Sequence, residues 1–229
     1  MNLRPAVWAA LATVLDPELD EPITELDFVE TCTVSPDGVA SVVLRLPTFF
    51  CAPNFSWLMV ADAYDAVSAV PGVTRADVKL ADHHAAAEIN GGVAAQAGFV
   101  EAFSGQAVAE LDELRKQFFR KAALAGQDRV AQPLVDAGAG PEDLAATTLG
   151  QLDPSPELDR MRKRRAALGL PHGDDAPLLI DAEGNAIPPE AVPLHLRRAR
   201  LQRVGIETNG AYCKDLLKAR YSHPATRTS

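Results

Sequence analysis

Apolar residues recur at two distinct periods along the first 82 residues. Steps of three and four residues indicate helices, and steps of two indicate half-buried strands. The turn sequence Ser35-Pro36-Asp37-Gly38 separates the first two strand-like segments and predicts a hairpin. The pattern predicts a helix, two strands, a helix and a strand, at residues 5–15, 28–34, 39–46, 54–69 and 74–80. This order favours an α+β fold in which helices cover one face of a three-stranded sheet.

The rest of the chain is predicted to be mostly α-helical, because amphipathic segments follow one another between glycines and prolines. A small hairpin is the exception, predicted at residues 178–187 from its Asx/Gly turn. The helices are expected at residues 107–126, 129–137, 141–149, 156–168, 190–204 and 209–221, after an interruption at Asn90-Gly91-Gly92. The sequence therefore predicts two domains, a small α+β domain at residues 1–82 and a mostly helical extension at residues 83–229.

The hydrophobic content and the cysteine spacing indicate in which cellular compartment the protein is expected. The chain has 229 residues, of which 47% are hydrophobic, enough for a substantial core. It contains no run of about 18 apolar residues, and its N-terminus lacks the pattern of a signal peptide. Three widely spaced cysteines, Cys32, Cys51 and Cys213, argue against a disulfide framework and fit a reducing compartment. We therefore expect a cytoplasmic protein without a membrane partner.

Charge is distributed unevenly along the chain. Of 31 acidic and 22 basic residues, 13 acidic and four basic lie within residues 1–100, which therefore hold the whole net charge of −9. Binding to phosphate backbones requires Lys and Arg, so this distribution disfavours a nucleic-acid partner. The basic cluster at residues 160–165 is accordingly interpreted as a solvated helix face.

One cysteine lies where the second strand crosses to the second helix. Cys51 stands between Pro47 and Pro53, and Asn54 is predicted to cap the helix through its side-chain oxygen. A cysteine just before a helix N-terminus meets partial positive charge, which favours the thiolate. The alternative is a small buried hydrophobic residue, which is how free cysteines usually behave.

Six carboxylates lie within twelve residues after the first helix, and most of them are expected to form a solvated loop. Asp16 and Glu18 differ, because Pro17 fixes the backbone between them and can direct both side chains the same way. Carboxylates are hard oxygen ligands, which suit iron or another divalent cation when combined with histidine or thiolate.

A second group of ligand-type residues follows the third strand. If the segment after Asp82 is helical, His84 and Glu88 lie one turn apart on one face, a spacing that suits a metal ion. This strand end and the Cys51 loop are expected at the same edge of the sheet. The alternative is a histidine that caps the strand end and a glutamate on the surface.

The motifs in the first domain resemble those of the PaaD/SufT-like iron–sulfur cluster assembly family. Asp16-Pro17-Glu18, the loop from Thr48 to Cys51, Pro53 and Val70-Pro71-Gly72-Val73 occur in the family's order and at its separations. The resemblance covers residues 5–82. It implies a role in assembling or delivering iron or iron–sulfur clusters rather than the turnover of a metabolite.

The resemblance also implies which residues form the site. Cys51 corresponds to the family's reactive cysteine, and Asp16 and Glu18 correspond to its acidic motif. With the residues after the third strand, the candidate metal ligands are Cys51, Asp16, Glu18, His83, His84 and Glu88. The residues expected to shape the two loops are Pro17, Thr48, Pro53 and Asn54.

One departure from the family pattern points to a particular client. Family members usually have proline directly after the cysteine, whereas Ala52 intervenes here. The resulting sequence Cys51-Ala52-Pro53 resembles a branch associated with bacterial multicomponent di-iron monooxygenase gene clusters. The resemblance implies a client metalloenzyme, for which a subunit of such a monooxygenase is one candidate.

These observations leave three hypotheses for the function. The first is a maturation factor that holds iron or a cluster transiently at Cys51, while the helical extension docks the client. Three scattered cysteines cannot supply four thiolates, so a cluster would require a homodimer, His or carboxylate ligands, or an external thiol. The second is a metal-free chaperone for an oxygenase subunit, in which Cys51 is structural.

The third hypothesis is a hydrolase or deaminase that uses a Cys51–His84 pair. It is the weakest, because nothing in the sequence supplies an oxyanion hole or a third orienting group. The sequence also lacks the common phosphate-loop, hydrolase and zinc-protease motifs. We therefore expect no enzymatic activity.

Overall fold

The computed structural model describes residues 2–107 and 109–222. The chain forms two compact units, one of Met1–Asp112 with Thr208–Ser229 and one of Glu113–Glu207. The first unit therefore extends beyond the boundary expected at residue 82 and includes the C-terminal part of the chain. The last helix contributes residues to both units.

The first unit contains the elements that the apolar periodicity predicts, in the predicted order. They are α1 (Arg4–Leu11), β1 (Val29–Val34), β2 (Val39–Leu44), α2 (Pro53–Ser68) and β3 (Arg75–Leu80), followed by α3 (Ala86–Ala94) and α4 (Phe99–Ala102). The predicted fold class, an α+β domain with a mostly helical C-terminal portion, is confirmed.

The sheet brings the loops after β2 and β3 to one edge. β2 is central, antiparallel to β1 and parallel to β3, and Leu44 of β2 is in register with Leu80 of β3. Because parallel strands end at the same edge, the chain leaves both strands side by side there. The Cys51 loop follows β2 and His83 follows β3, so this register positions the site.

The core of the first unit lies between one face of the sheet and the helices. Alternate residues of β2, such as Val42 and Leu44, are buried, as a half-buried strand requires. Helices α1, α2 and α3 contribute buried apolar side chains, and Leu217 from the last helix joins the same cluster. The C-terminal segment is therefore part of this core.

Two predicted helix boundaries in the first unit are wrong. α1 ends at Leu11 rather than at residue 15, because Leu15 forms an isolated antiparallel bridge with Pro22 that closes the acidic loop. Asn90-Gly91-Gly92 does not interrupt the chain but lies inside α3. The Asn90 side chain bonds the backbone nitrogen and oxygen of Leu80, at 2.7 and 3.0 Å, and so ties α3 to the end of β3.

The second unit consists of helices and short turns. Its elements are α5 (Asp112–Asp136), α6 (Pro141–Ala146), a 3-10 helix (Leu149–Gln151), α7 (Pro156–Ala167), a second 3-10 helix (Pro189–Ala191) and the first part of α8 (Val192–Tyr221). The hairpin expected at residues 178–187 is a turn closed by a single bridge between Ile180 and Ala186.

Glycines predicted to end helices lie inside them instead. α5 joins the two helices expected at residues 107–126 and 129–137, and a Cβ at Gly126 would lie 3.1 Å from the Met161 side chain. Gly126 therefore permits close helix packing rather than terminating α5. α8 likewise joins the two helices expected at residues 190–204 and 209–221.

Candidate metal-handling site around Cys51

Cys51 lies in the loop between β2 and α2. Its side chain is partly buried, and its Sγ lies 3.4 Å from the Oγ1 of Thr48. α2 begins two residues later at Pro53, with Ala52 in the N-cap position. The sulfur is therefore outside the fully buried core and close to the positive end of a helix dipole.

The predicted capping role of Asn54 is wrong. Asn54 is the second residue of α2, and its Oδ1 accepts a hydrogen bond from the backbone N–H of Phe55 at 3.0 Å. Pro53 occupies the first helical position, where the missing N–H removes no helical hydrogen bond and the fixed φ suits the helix. Pro53 thus sets the start of α2 two residues earlier than an Asn54 cap would, since such a cap would make Phe55 the first helical residue.

His83 holds the Cys51 loop from the end of β3. Its Nε2 lies 2.7 Å from the carbonyl oxygen of Cys51 and 3.3 Å from the Oγ of Ser56. Its Nδ1 accepts a hydrogen bond from the backbone N–H of Ala85 at 3.1 Å. An accepting Nδ1 leaves the proton on Nε2, which therefore donates to the Cys51 carbonyl.

The environment of His83 keeps its ring neutral. Burial lowers the pKa of His83, and the nearby His84 and Arg220 lower it further, against the raising effect of the hydrogen bond to Cys51. Both ring nitrogens are engaged, so a metal ion would have to displace one of these bonds. In this arrangement His83 positions Cys51.

His84 and Glu88 do not share a helical face, contrary to the expected spacing. Asp82 adopts a positive φ of 49°, which turns the chain after β3, and α3 begins only at Ala86. The Nδ1 and the backbone N–H of His84 both bond the carbonyl oxygen of Phe49, at 3.0 and 3.1 Å. Of the two ring nitrogens of His84, Nε2 is therefore the one that could bind a metal ion, and the ring is exposed. Glu88 is also exposed, in the first turn of α3.

Two exposed aromatic residues precede Cys51. Phe49 is 41% exposed and Phe50 is 76% exposed, and the two rings meet edge to face at 5.0 Å. The His84 ring lies 5.6 Å from that of Phe50. The loop therefore presents an apolar surface next to the thiol.

Asp16 is buried and shapes the acidic loop. Its Oδ1 accepts hydrogen bonds from the backbone N–H groups of Glu18 and Leu19, at 2.9 and 2.8 Å, which fold the motif around Pro17 into a turn. Burial raises the pKa of Asp16 to about 6, although these two hydrogen bonds lower it. The Glu18 side chain is exposed. Pro17 therefore does not direct both carboxylates the same way.

The C-terminal part of α8 packs against this side of the first unit. The Nζ of Lys214 lies 2.6 Å from the Oε2 of Glu21, and the backbone oxygen of Glu21 accepts a hydrogen bond from the N–H of Asp16. Further along the helix, Arg220 donates to the carbonyl oxygen of Leu46 at 2.9 Å. These contacts fix the helix between the acidic loop and the end of β2.

Cys213 lies on this helix, next to Lys214, and its side chain is partly buried. Burial raises the pKa of Cys213 to about 11, and Coulomb interactions with Asp16, Cys51 and Glu18 contribute to the shift. Cys51 and the acidic motif are therefore in the electrostatic environment of Cys213. No sequence motif marked Cys213 as a site residue. The available signal was the scarcity of cysteine, since the chain has three.

The candidate ligands do not form a closed metal site. Among the residues that the structure describes, no three His, Cys, Asp or Glu side chains are grouped so as to hold a metal ion. Cys51, Cys213 and Asp16 are brought to one region of the first unit, whereas both nitrogens of His83 are engaged. Metal binding here would require ligands from outside the chain or movement of these side chains.

No helix within the described parts of the chain is long and apolar enough to cross a membrane.

Comparison with known proteins identifies the first domain. Residues 4–79 match the family model for iron–sulfur cluster assembly proteins. The iron–sulfur cluster carrier protein of Mycobacterium leprae is 38% identical over 79 residues, and the proteins of that name from Mycobacterium bovis and Mycobacterium tuberculosis are 35% identical. Each alignment covers 34% of this chain and 20% of the relative. No solved structure matches the chain.

The matched region runs from α1 into β3 and contains Asp16, Glu18 and Cys51. The chain spans about a fifth of the length of the curated relatives it matches. The resemblance inferred from the motifs is thereby confirmed for this region. Residues 4–79 of the N-terminal α+β domain are thus similar to the iron–sulfur cluster assembly family, and a mostly helical C-terminal extension follows them.

Proposed function

We propose that this protein is a maturation factor that receives iron or an iron–sulfur cluster at Cys51 and delivers it to a client metalloenzyme. The observation that supports this most directly is that Cys213 of α8 is within electrostatic range of Cys51 and Asp16, both of which lie in the region that matches iron–sulfur cluster assembly proteins. Thiolates and carboxylates together suit iron. The protein acts as a carrier in the cytoplasm and has no turnover of its own.

The incomplete ligand set favours transient binding. Two thiolates and a carboxylate leave coordination positions for an external thiol, a second copy of the chain or the client itself. If a ligand comes from the client, the iron or cluster can be transferred by ligand exchange and remains coordinated throughout. Glu18, His84 and Glu88 are exposed, so they are available to assist in the transfer.

His83 and Thr48 support this role by fixing the loop. The bond from His83 Nε2 to the Cys51 carbonyl sets the backbone, and the Thr48 hydroxyl lies against the sulfur. A thiolate that is positioned before the metal arrives pays less entropy on binding. The exposed rings of Phe49 and Phe50 would contact the client during transfer.

The proposed client is a subunit of a bacterial di-iron monooxygenase, docked by the helical extension. This proposal rests on the insertion of Ala52 between Cys51 and Pro53, which resembles the branch associated with such gene clusters. Co-expression with candidate subunits, with and without residues 113–207, tests it. If the shortened chain captures the client equally well, residues 113–207 do not dock it. This conclusion requires that the shortened chain retains a cooperative unfolding transition.

Anaerobic reconstitution tests the metal-handling function. The full chain is incubated with ferrous iron, sulfide and a small thiol, and bound iron and sulfide are measured with the thiolate-to-iron absorption. We expect Cys51→Ser to lose most of the bound iron, Cys213→Ser to bind it more weakly, and Cys32→Ala, which changes a buried thiol of β1, to match the wild type. Full retention of iron by Cys51→Ser would overturn the proposal.

A metal-free chaperone is the second candidate, supported by the absence of a closed three-ligand site in the described residues and by the exposed Phe50. It predicts that Phe50→Ser weakens capture of the client, while Cys51→Ser leaves both capture and client activity unchanged. If the client fails to mature with Cys51→Ser but matures with Phe50→Ser, the carrier function is supported over the chaperone.

A further inference from the structure

The second unit contains a pocket that is distinct from the Cys51 site. It has a volume of 310 Å³ and lies among α5, α7, residues 168–182 and α8. Its apolar wall includes Leu124, Leu168, Leu170 and Ile180. This volume is at the small end of the range for pockets that bind organic ligands.

Basic side chains surround this apolar wall. Arg120, Lys121 and Arg198 are exposed residues of the lining, and Arg165 is a buried one. Asp181 is the carboxylate in the lining, and its two oxygens accept hydrogen bonds from the side chain and backbone of Asn185, at 3.0 and 2.8 Å. The Asp181 carboxylate therefore stabilises the turn between Asp181 and Asn185.

Arg165 is the unusual member of the lining, because its side chain is fully buried. Its guanidinium donates to the carbonyl oxygens of Pro177 and Leu178, while its Nε has no hydrogen-bond partner among the described residues. A buried cation that is held by carbonyls alone is costly, and an anion nearby would offset part of that cost. Solvated arginines on a helix surface need no such partner.

The wall of the pocket is held in place before any ligand binds. The side chain of Gln127 donates to the Ile180 carbonyl at 3.2 Å and accepts from the Ile180 N–H at 2.8 Å. The Nε2 of His195 lies 3.0 Å from the Oε1 of Gln127 and completes this network. A preformed wall reduces the entropy lost on binding.

We propose that this pocket binds a small organic anion, with its carboxylate or phosphate at Arg198 and Arg120 and its apolar body against Leu124 and Ile180. Arginine guanidinium groups bind both kinds of anion through paired hydrogen bonds. The buried charge of Arg165, which also lines the pocket, adds to the attraction for an anion. The pocket thus selects for a negative charge and an apolar group in one molecule.

Isothermal titration of the full chain with simple probes tests this proposal. Benzoate and phenyl phosphate carry the two kinds of anion on the same ring, benzyl alcohol is the neutral control, and inorganic phosphate lacks the ring. We expect at least one aromatic anion to bind at least tenfold more tightly than benzyl alcohol and inorganic phosphate. Whichever of benzoate and phenyl phosphate binds more tightly shows whether the pocket prefers a carboxylate or a phosphate.

Neighbouring arginines on α8 provide a matched pair of variants. Arg198 lines the pocket, whereas Arg197 is exposed on the same helix and is not part of the lining. Losing a hydrogen bond to a charged group should weaken binding of the anion about tenfold in Arg198→Gln. Arg197→Gln should leave the affinity within about twofold of the wild type, because salt screens a charge outside the pocket.

Three results would overturn the proposal. They are the absence of measurable binding of both aromatic anions at millimolar concentration, equal binding of benzyl alcohol, and equal weakening by Arg197→Gln and Arg198→Gln. The thermal unfolding of both variants without ligand is measured alongside. Both exposed substitutions are expected to leave it unchanged, so loss of binding in Arg198→Gln reports on the pocket.

Discussion

The Nε2 of His83 lies 2.7 Å from the carbonyl oxygen of Cys51, across a separation of 32 residues. Because Nδ1 of the same ring accepts from the backbone of Ala85, the imidazole links the end of β3 to the cysteine loop after β2. A residue of metal-ligand type is thus used to position the thiol.

Replacing His83 by leucine should loosen the Cys51 loop. The change leaves the Cys51 carbonyl without its donor, and we expect a loss of about 1–3 kcal/mol in the free energy of unfolding, measured with urea. Iodoacetamide should also label Cys51 faster. His84→Leu is the control, because His84 is exposed, and it should cost less than about 1 kcal/mol. Equal effects of the two substitutions would contradict the positioning role.

Replacing Asp16 by asparagine should stabilise the protein at high pH. Burial raises the pKa of Asp16 from 3.8 to about 6, so the folded state holds a proton between these values that the unfolded state releases. Stability is therefore lost as pH rises through this window, and at pH 8 the loss is on the order of 1–3 kcal/mol. Asparagine keeps an oxygen for the N–H groups of Glu18 and Leu19 and does not titrate.

Urea unfolding at pH 4.5 and pH 8 checks this prediction. The gain of Asp16→Asn over the wild type should be full at pH 8 and fall to about a third of that value at pH 4.5. Glu18→Gln is the control, since Glu18 is exposed, and its stability should follow that of the wild type. A variant at position 16 that is less stable than the wild type at pH 8 would show that the ionised carboxylate is stabilising.

Replacing Arg220 by methionine should release the C-terminal turns of α8. The change removes the hydrogen bonds to the Leu46 carbonyl and to Asp82, for an expected cost of about 1–2 kcal/mol in local stability. Hydrogen exchange at residues 208–221 and alkylation of Cys213 should both become faster. Lys218→Met is the control, because Lys218 is an exposed residue of the same turns. Unchanged exchange in the arginine variant would contradict the anchoring role.

Two adjacent glycines of α3 should respond in opposite directions to alanine. A Cβ at Gly92 would lie 2.6 Å from both Trp57 and Ala102, whereas a Cβ at Gly91 meets nothing within 4 Å. Gly92→Ala should therefore destabilise the protein by about 1–3 kcal/mol through overpacking. Gly91→Ala should stabilise it by about 0.5–1 kcal/mol through helix propensity. Thermal and urea unfolding measure both, and a stable Gly92→Ala variant would show that Trp57 can move away.

Local sequence patterns predicted much of the first domain. Periodicity and the turn at Ser35-Pro36-Asp37-Gly38 predicted the order of α1 to β3, because these elements follow from residues close together in the chain. The motifs around Asp16 and Cys51 predicted the family for the same reason. Glycine was misleading at Gly92 and Gly126, since a glycine that ends a helix and one that admits a neighbouring side chain look alike in sequence.

Long-range contacts decided the composition of the site. Cys213 is 162 residues from Cys51, and its place beside the acidic motif depends on α8 returning to the first unit through Lys214 and Arg220. The role of His83 depends likewise on the parallel register of β2 and β3. No periodicity encodes such contacts, because they arise from the packing of separate elements. The sequence by itself determined the order of the elements in the first domain, its similarity to iron–sulfur cluster assembly proteins and the candidate thiol. The tertiary structure decided which side chains surround that thiol.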